Sequence, residues 1–222
     1  MIDPVAFDVL GRPIYWYGIF VALGFLAGVL HWNLMARREG MPAGIGSDLG
    51  FIVMVGGIVG ARLAYVAANW THYSAHPVEI IRVDQGGLIY YGGFLMAVLF
   101  VIAMARRRHL PVWRLGDFTI SALPLGHALG RLGCFLNGCC YGAPSDAACA
   151  LFNAGARRLP VQLFETAFNL ALYGLFHLML RRRVRPGSLV VTYLVGYGLW
   201  RFAIEFLRGD ERRPGLGSLD AA

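Results

Sequence analysis

Arg62, Arg131 and Arg201 each interrupt an apolar run. A charged side chain at the centre of a membrane helix costs roughly 2.5–3.5 kcal/mol, so these three must face a bundle interior or water. A guanidinium fork makes bidentate contact with phosphate oxygens and holds them more strongly in a low dielectric than in water. Around Arg201, the residues Tyr197, Glu205 and Arg208 follow a spacing of four, four and three, which lines them along one helix face. Glu205 can pair with Arg201 or Arg208, leaving the face cationic and suited to an anion. His127 and Arg131 repeat the spacing of four within GHALGRLGCFLNGCCYG, which begins at Gly126.

Two further segments carry side chains able to do chemistry. The stretch from Asp84 to Phe94 sets the pairs Gly86–Gly87 and Gly92–Gly93 around Tyr90 and Tyr91. Glycine pairs permit a bent backbone near a ligand, and a tyrosine hydroxyl donates or accepts a hydrogen bond. An interfacial tyrosine belt is the alternative. Cys134, Cys139 and Cys140 fall within seven residues, which fits a metal site, a disulfide, thiol chemistry or small residues filling a crowded helix end. Their spacing matches no standard zinc pattern, and neither a metal nor another cofactor is expected.

The elements that must position these groups are apolar helices. Hydrophobic residues make up 57% of the 222 and charged residues only 15%, more apolar surface than a soluble chain of this length can bury. An all-α polytopic membrane bundle is expected as a single domain over 1–222. Runs of about 20 apolar residues predict six spans, at 15–35, 49–68, 88–105, 118–135, 161–180 and 188–207. Gly24 with Gly28, Gly56 with Gly60 and Ala64, and Gly126 with Gly130 have the spacing of close helix contacts.

All 20 basic residues are arginine, and the formal net charge is +7. They cluster at Arg37–Arg38, at Arg106–Arg108 with Arg114, and at Arg181–Arg183 with Arg185. Such clusters between apolar runs are orientation signals rather than a nucleic-acid groove, so no nucleic-acid partner is expected. They put those three connections in the cytoplasm, and both termini and the loops at 70–87 and 138–160 outside. Arg208, Arg212 and Arg213 run against the rule. No cleavable signal peptide is expected, the first helix itself inserting, and four cysteines do not make a secreted disulfide framework.

The run from Gly126 to Asp146, with Gly130, Arg131, Gly133, Asn137, Gly138 and Gly142, resembles the signature of the prolipoprotein diacylglyceryl transferases. So do Trp16–Gly18, Gly86–Phe94 and Gly196–Asp210, in order along about nine tenths of the chain. The resemblance implies a bacterial inner-membrane enzyme moving the diacylglyceryl group of phosphatidylglycerol to the lipobox cysteine of a prolipoprotein. A thioether forms and glycerol phosphate leaves; membrane lipids are the other expected partners. It marks Arg131 and Arg201 as essential, with Tyr17, Asn137, Gly142, Tyr197, Glu205 and Arg208 at other recurrent positions. Arg62 resembles the arginine of a Gly-Arg pair whose glycine is Ala61 here, and Gln162 and Glu165 the opening of helix five.

Departures accompany the match. Tyr91 stands where many members carry a histidine, Leu159 replaces another histidine, Cys134 and Cys139 replace Asn and Glu, and a final helix is not seen after Ala222. Arg131 and Arg201 are expected to hold the phosphodiester and leaving group, Glu205 to orient Arg201, and Tyr17, Tyr91 and Tyr197 to bind the head group. Tyr91 is also a candidate proton acceptor, although nearby arginines can by themselves lower a thiol's pKa. A related enzyme with another phospholipid or acceptor, and a non-enzymatic lipid-binding or transport protein, are the competing readings.

Overall fold

The structure is a computed structural model that describes residues 3–9, 11–83, 86–153 and 155–209. Asp84, Gln85 and the arginines at 212 and 213 lie outside them. Helices dominate, in two compact units: residues 1–28 with 120–222, and residues 29–119.

The first unit opens with a hairpin of β1 (Val5–Val9) and β2 (Arg12–Tyr15), paired antiparallel from Val9 opposite Arg12 to Val5 opposite Tyr15. Gly11 at φ +76° makes its turn. Helix α1 (Trp16–Ala36) follows at once and runs on into the second unit. Helix α6 (Leu123–Leu136) packs on its first half, where a Cβ on Gly24 would lie 2.9 Å from the carbonyl oxygen of Gly126. A Cβ on Gly133 would lie 2.9 Å from that of Phe20. Helix α7 (Val161–Arg181) lies against α6, its Thr166 hydroxyl donating to the Ala128 carbonyl at 3.3 Å. Helix α8 (Ser188–Glu205) meets α7 in a core of Leu172, Phe176, Leu189 and Tyr193.

Between α6 and α7 lies a second small hairpin, β3 (Leu151–Asn153) with β4 (Ala156–Arg158). The chain end after α8 is sewn to this loop: Gly142 bridges Arg208, and Ala143 N–H donates to the Leu207 carbonyl at 2.9 Å. A Cβ on Gly142 would lie 2.4 Å from the Leu159 carbonyl oxygen, so glycine there permits the crossing.

In the second unit, α2 (Ile45–Ala68) and α4 (Tyr90–Arg107) cross at backbone contact. A Cβ on Gly60 would sit 2.5 Å from the Gly92 carbonyl oxygen, and one on Gly92 2.6 Å from that of Gly60. The loop between them holds α3 (Trp70–Ala75) and a 3-10 turn at Pro77–Ile81. Helix α5 (Val112–Ile120) closes the unit, with the Trp32 indole N–H 3.1 Å from the carbonyls of Phe118 and Thr119.

Several expectations need correcting. The two hairpins make the fold mostly rather than entirely helical. The 118–135 span is divided between α5 and α6 at Ser121 and Ala122, where Pro124 occupies the first turn of α6. Proline lacks the N–H that would continue a helix and crowds the residue before it, so it starts one instead. Helix α8 ends at Glu205, and Arg208 belongs to the bridge beyond it. Among the described residues, α1, α2, α4 and α7 are long and apolar enough to cross a membrane.

Candidate active site

The cationic face of α8 is built as its spacing requires. The Arg201 Nη2 atom lies 2.5 Å from Glu205 Oε2, and Arg208 Nε lies 4.0 Å from the same oxygen. Arg208 is held almost out of solvent, its side chain 5% exposed, because the bridge to Gly142 folds it back. The face extends a turn further than expected, since Tyr193 precedes Tyr197 by four and their rings stack at 5.4 Å.

Helix α6 supplies Arg131, whose partner comes from α7. Arg131 Nε lies 2.7 Å from Glu165 Oε2, and the Glu165 side chain is 2% exposed. A buried carboxylate recovers its desolvation cost only when a cation lies close to it, so this pair fixes α6 against α7. Glu165 also feels Arg201 and Arg208, so three guanidiniums share two carboxylates and the cluster stays cationic. Arg201 Nη1 and Glu165 Oε1 are buried with no hydrogen-bond partner among the described residues. A buried donor on a cation is costly to leave unpaired, and an anionic ligand satisfies it.

His127 lies between two tyrosines of α8, with Nδ1 3.3 Å from the Tyr193 hydroxyl and Nε2 3.4 Å from that of Tyr197. Tyr197 also reaches Arg131, which ties the histidine, tyrosine and arginine into one network. His127 is thus held by hydrogen bonds to two tyrosines, and Tyr193 is a member that the sequence reading passed over although its spacing from Tyr197 signals it.

A cavity of about 760 Å³ is lined by Pro13, Ile14, Tyr15, Tyr17, Gly18, Ile19, Ala22 and Asn137. It is mainly apolar, as acyl chains or a lipid backbone require. Asn137 presents a buried side-chain oxygen with no partner among the described residues. Gln162 does different work: wholly buried, it donates to the Cys139 carbonyl at 2.7 Å and pins the loop after α6 to α7.

All the sequence-derived site residues except Arg62 and Tyr91 therefore fall in the first unit. Arg62 is 7% exposed and directs its fork at backbone carbonyls: Nη2 to Glu79 at 2.6 Å, Nε to Ile80 at 2.8 Å, and Nη1 to Gly86 and Gly87 at 3.0 and 3.2 Å. The Tyr73 and Tyr65 rings lie 5.2 and 5.8 Å from its guanidinium carbon. Those contacts make it a clamp for the loop at 79–87. Tyr91 is 80% exposed, with its ring 5.7 Å from that of Tyr90.

A profile of the family described as prolipoprotein diacylglyceryl transferase matches residues 4–222. The chain belongs to the prolipoprotein diacylglyceryl transferase family. Among its relatives, the phosphatidylglycerol–prolipoprotein diacylglyceryl transferase of Synechococcus elongatus is 35% identical, over 99% of this chain and 81% of its own. That of Bacillus cereus is 34% identical, over 94% of this chain and 82% of its own. That of Geobacter sulfurreducens is 34% identical, over 97% and 85%. The diacylglyceryl transferase match runs through both compact units.

Proposed function

We propose that the protein transfers the diacylglyceryl group of phosphatidylglycerol to the lipobox cysteine of prolipoproteins. The observation that carries this reading is the pair of half-buried arginines, each with a carboxylate partner, with Arg201 Nη1 left without a hydrogen-bond partner among the described residues. The relatives named above act, by their names, on phosphatidylglycerol and prolipoproteins.

In this mechanism the acceptor thiol loses its proton, and its sulfur attacks the glycerol carbon that bears the phosphate ester. The C–S bond forms as the C–O bond breaks, and the bonding pair leaves on the phosphate oxygen of glycerol phosphate. Negative charge therefore grows on the phosphate side. Arg131 and Arg201, aligned by Glu165 and Glu205 before the reaction begins, stabilise it without reorganisation. Tyr197 and Arg208 contact the head group, Tyr17 and Asn137 the lipid in the cavity, and Gly142 lets the loop approach. Gln162 and Glu165 position other groups rather than touch the lipid. Arg62 shapes the loop preceding Tyr91.

We read the 222 residues as one transferase domain of the bacterial inner membrane, crossing it six times. The fourth crossing lies within 118–135, and α8 is the sixth. Both ends of the described chain would lie on the outer face, as the three arginine clusters favour. The test is transfer of labelled lipid from phosphatidylglycerol to a lipobox peptide by the purified protein, beside Arg131→Ala and Arg201→Ala. Transfer lost in both variants supports the reading. A folded protein that binds phosphatidylglycerol and transfers nothing overturns it.

A further inference from the structure

The mechanism above leaves Cys134, Cys139 and Cys140 unused, and the backbone explains why their thiols meet. Helix α6 closes in a Schellman turn: Gly138 stands at φ +68° and its N–H donates to Phe135, while the Cys139 N–H returns to the Cys134 carbonyl at 3.1 Å. That motif brings the residue two past the helix cap over the last turn, and here both positions are cysteine. Cys140 then adopts φ +57°, a left-handed conformation that non-glycine residues rarely take, and turns a third thiol onto the other two. The hydrogen bond from Gln162 to the Cys139 carbonyl holds the loop there.

The three sulfurs lie within 4.8 Å of one another, and among the described residues no fourth His, Cys, Asp or Glu ligand joins them. A zinc–sulfur bond is about 2.3 Å, which places tetrahedral thiolates about 3.8 Å apart, so each sulfur needs to move only about half an ångström. Three thiolates around a divalent ion carry one net negative charge, compatible with a cationic site. Asn137, one residue past the end of α6, and Tyr17 line the large cavity, and both lie within electrostatic reach of the cluster.

We propose that Cys134, Cys139 and Cys140 form a three-thiolate site for a thiophilic d10 ion, best zinc(II), whose open fourth position takes the acceptor peptide's thiol. Three protein ligands and one free position are the pattern of a catalytic zinc rather than a structural one. The acceptor's identity rests on the transfer reading above. A coordinated thiol gives its proton to water at the cavity mouth and stays bound as thiolate. Its sulfur lone pair then forms the C–S bond while the phosphate oxygen keeps the C–O pair; the ion neither gains nor loses electrons. The neutral thioether is a weak ligand and leaves. No protein base is needed, which fits an exposed tyrosine at position 91.

The test uses the full chain in detergent, stripped of metal and reduced with a phosphine, with cadmium(II) as the spectroscopic probe. One saturable cadmium per chain with a thiolate charge-transfer band is expected. The band should shrink in Cys134→Ser, Cys139→Ser and Cys140→Ser but persist in Cys149→Ser, which alters an exposed cysteine outside the cluster. Circular dichroism checks each fold, and three separate positions mean that collapse of one variant leaves two. A lipobox peptide should strengthen the band, and its Cys→Ser analogue should not. From thiolate population alone, zinc should raise transfer roughly thirtyfold at pH 7 and less than about twofold at pH 9, since a free thiol titrates near 8.5.

No saturable band, a band indifferent to the three substitutions, or equal response to both peptides overturns the site. Full transfer at pH 7 by metal-free protein overturns it too, and leaves the transferase reading standing. Peptide binding at the metal without transfer by the zinc-loaded protein sinks the transferase reading instead.

Discussion

Arg131 and Arg201 are legible in the sequence because an arginine inside an apolar run demands an explanation, and Glu205 is legible because it lies one turn from Arg201. The Arg131–Glu165 pair is not, since it joins two helices and no local spacing encodes it. Glu165→Gln should separate its two consequences. Removing one partner of a buried pair leaves an uncompensated charge, so thermal unfolding in detergent should show a loss of about 3 kcal/mol. Transfer should fall with it, and Arg201→Ala should lower transfer by about 10²–10³-fold while leaving unfolding nearly unchanged, as expected for a donor aimed at developing charge. If Glu165→Gln proves as stable as wild type, the pair does not hold α6 against α7. Tyr91→Phe should retain transfer to within about threefold, well short of the 10²–10⁴-fold loss that removing a general base would cause. A loss of that size would restore Tyr91 as proton acceptor.

At the scale of elements, small-residue spacing identifies which helices approach closely but not which glycine makes the contact. Gly24 and Gly126 meet backbone to backbone, whereas Gly28 has only the Ala122 methyl at 3.8 Å and Gly130 has open space around its missing Cβ. The stripe on α2 reads correctly at Gly56 and Gly60, yet its counterpart on α4 is the Gly92–Gly93 pair, which the sequence presents equally well as a loop beside a ligand. Gly92→Val should therefore cost about 1–3 kcal/mol, the usual penalty for forcing atoms into a filled contact, read as a lower melting temperature in detergent. The same change at Gly130 should be nearly silent by that measure. The break between α5 and α6 went unread because the hydrophobicity of 118–135 is continuous, and only Pro124 marks it. The hairpins went unread because strands of three to five residues carry too little periodicity to register.

For the whole molecule, orientation turns on which arginines count as signals. Those at 157, 158 and 208 sit on the side proposed as outer and oppose the positive-inside rule if counted. Their contacts remove them from the count: Arg158 stacks 4.2 Å over the Tyr141 ring, Arg157 donates to the Ala147 and Ala150 carbonyls, and Arg208 is buried beside Glu205. The same test removes Arg108, paired with Asp48 at 2.6 Å, and leaves the other arginines of the clusters at 37–38, 106–108 and 181–185 in short polar connections. An arginine held by tertiary contacts is retained for those contacts, and an arginine in a short polar connection is the kind that sets topology. In intact spheroplasts a membrane-impermeant maleimide should then label wild type more than Cys149→Ser, because Cys149 is exposed in the loop proposed as outer. Arg182→Cys in the Cys149→Ser background should add label only after the membrane is permeabilised. The opposite pattern would invert the chain and carry the proposed thiol site to the cytoplasmic face, where a translocated lipobox cysteine could not reach it.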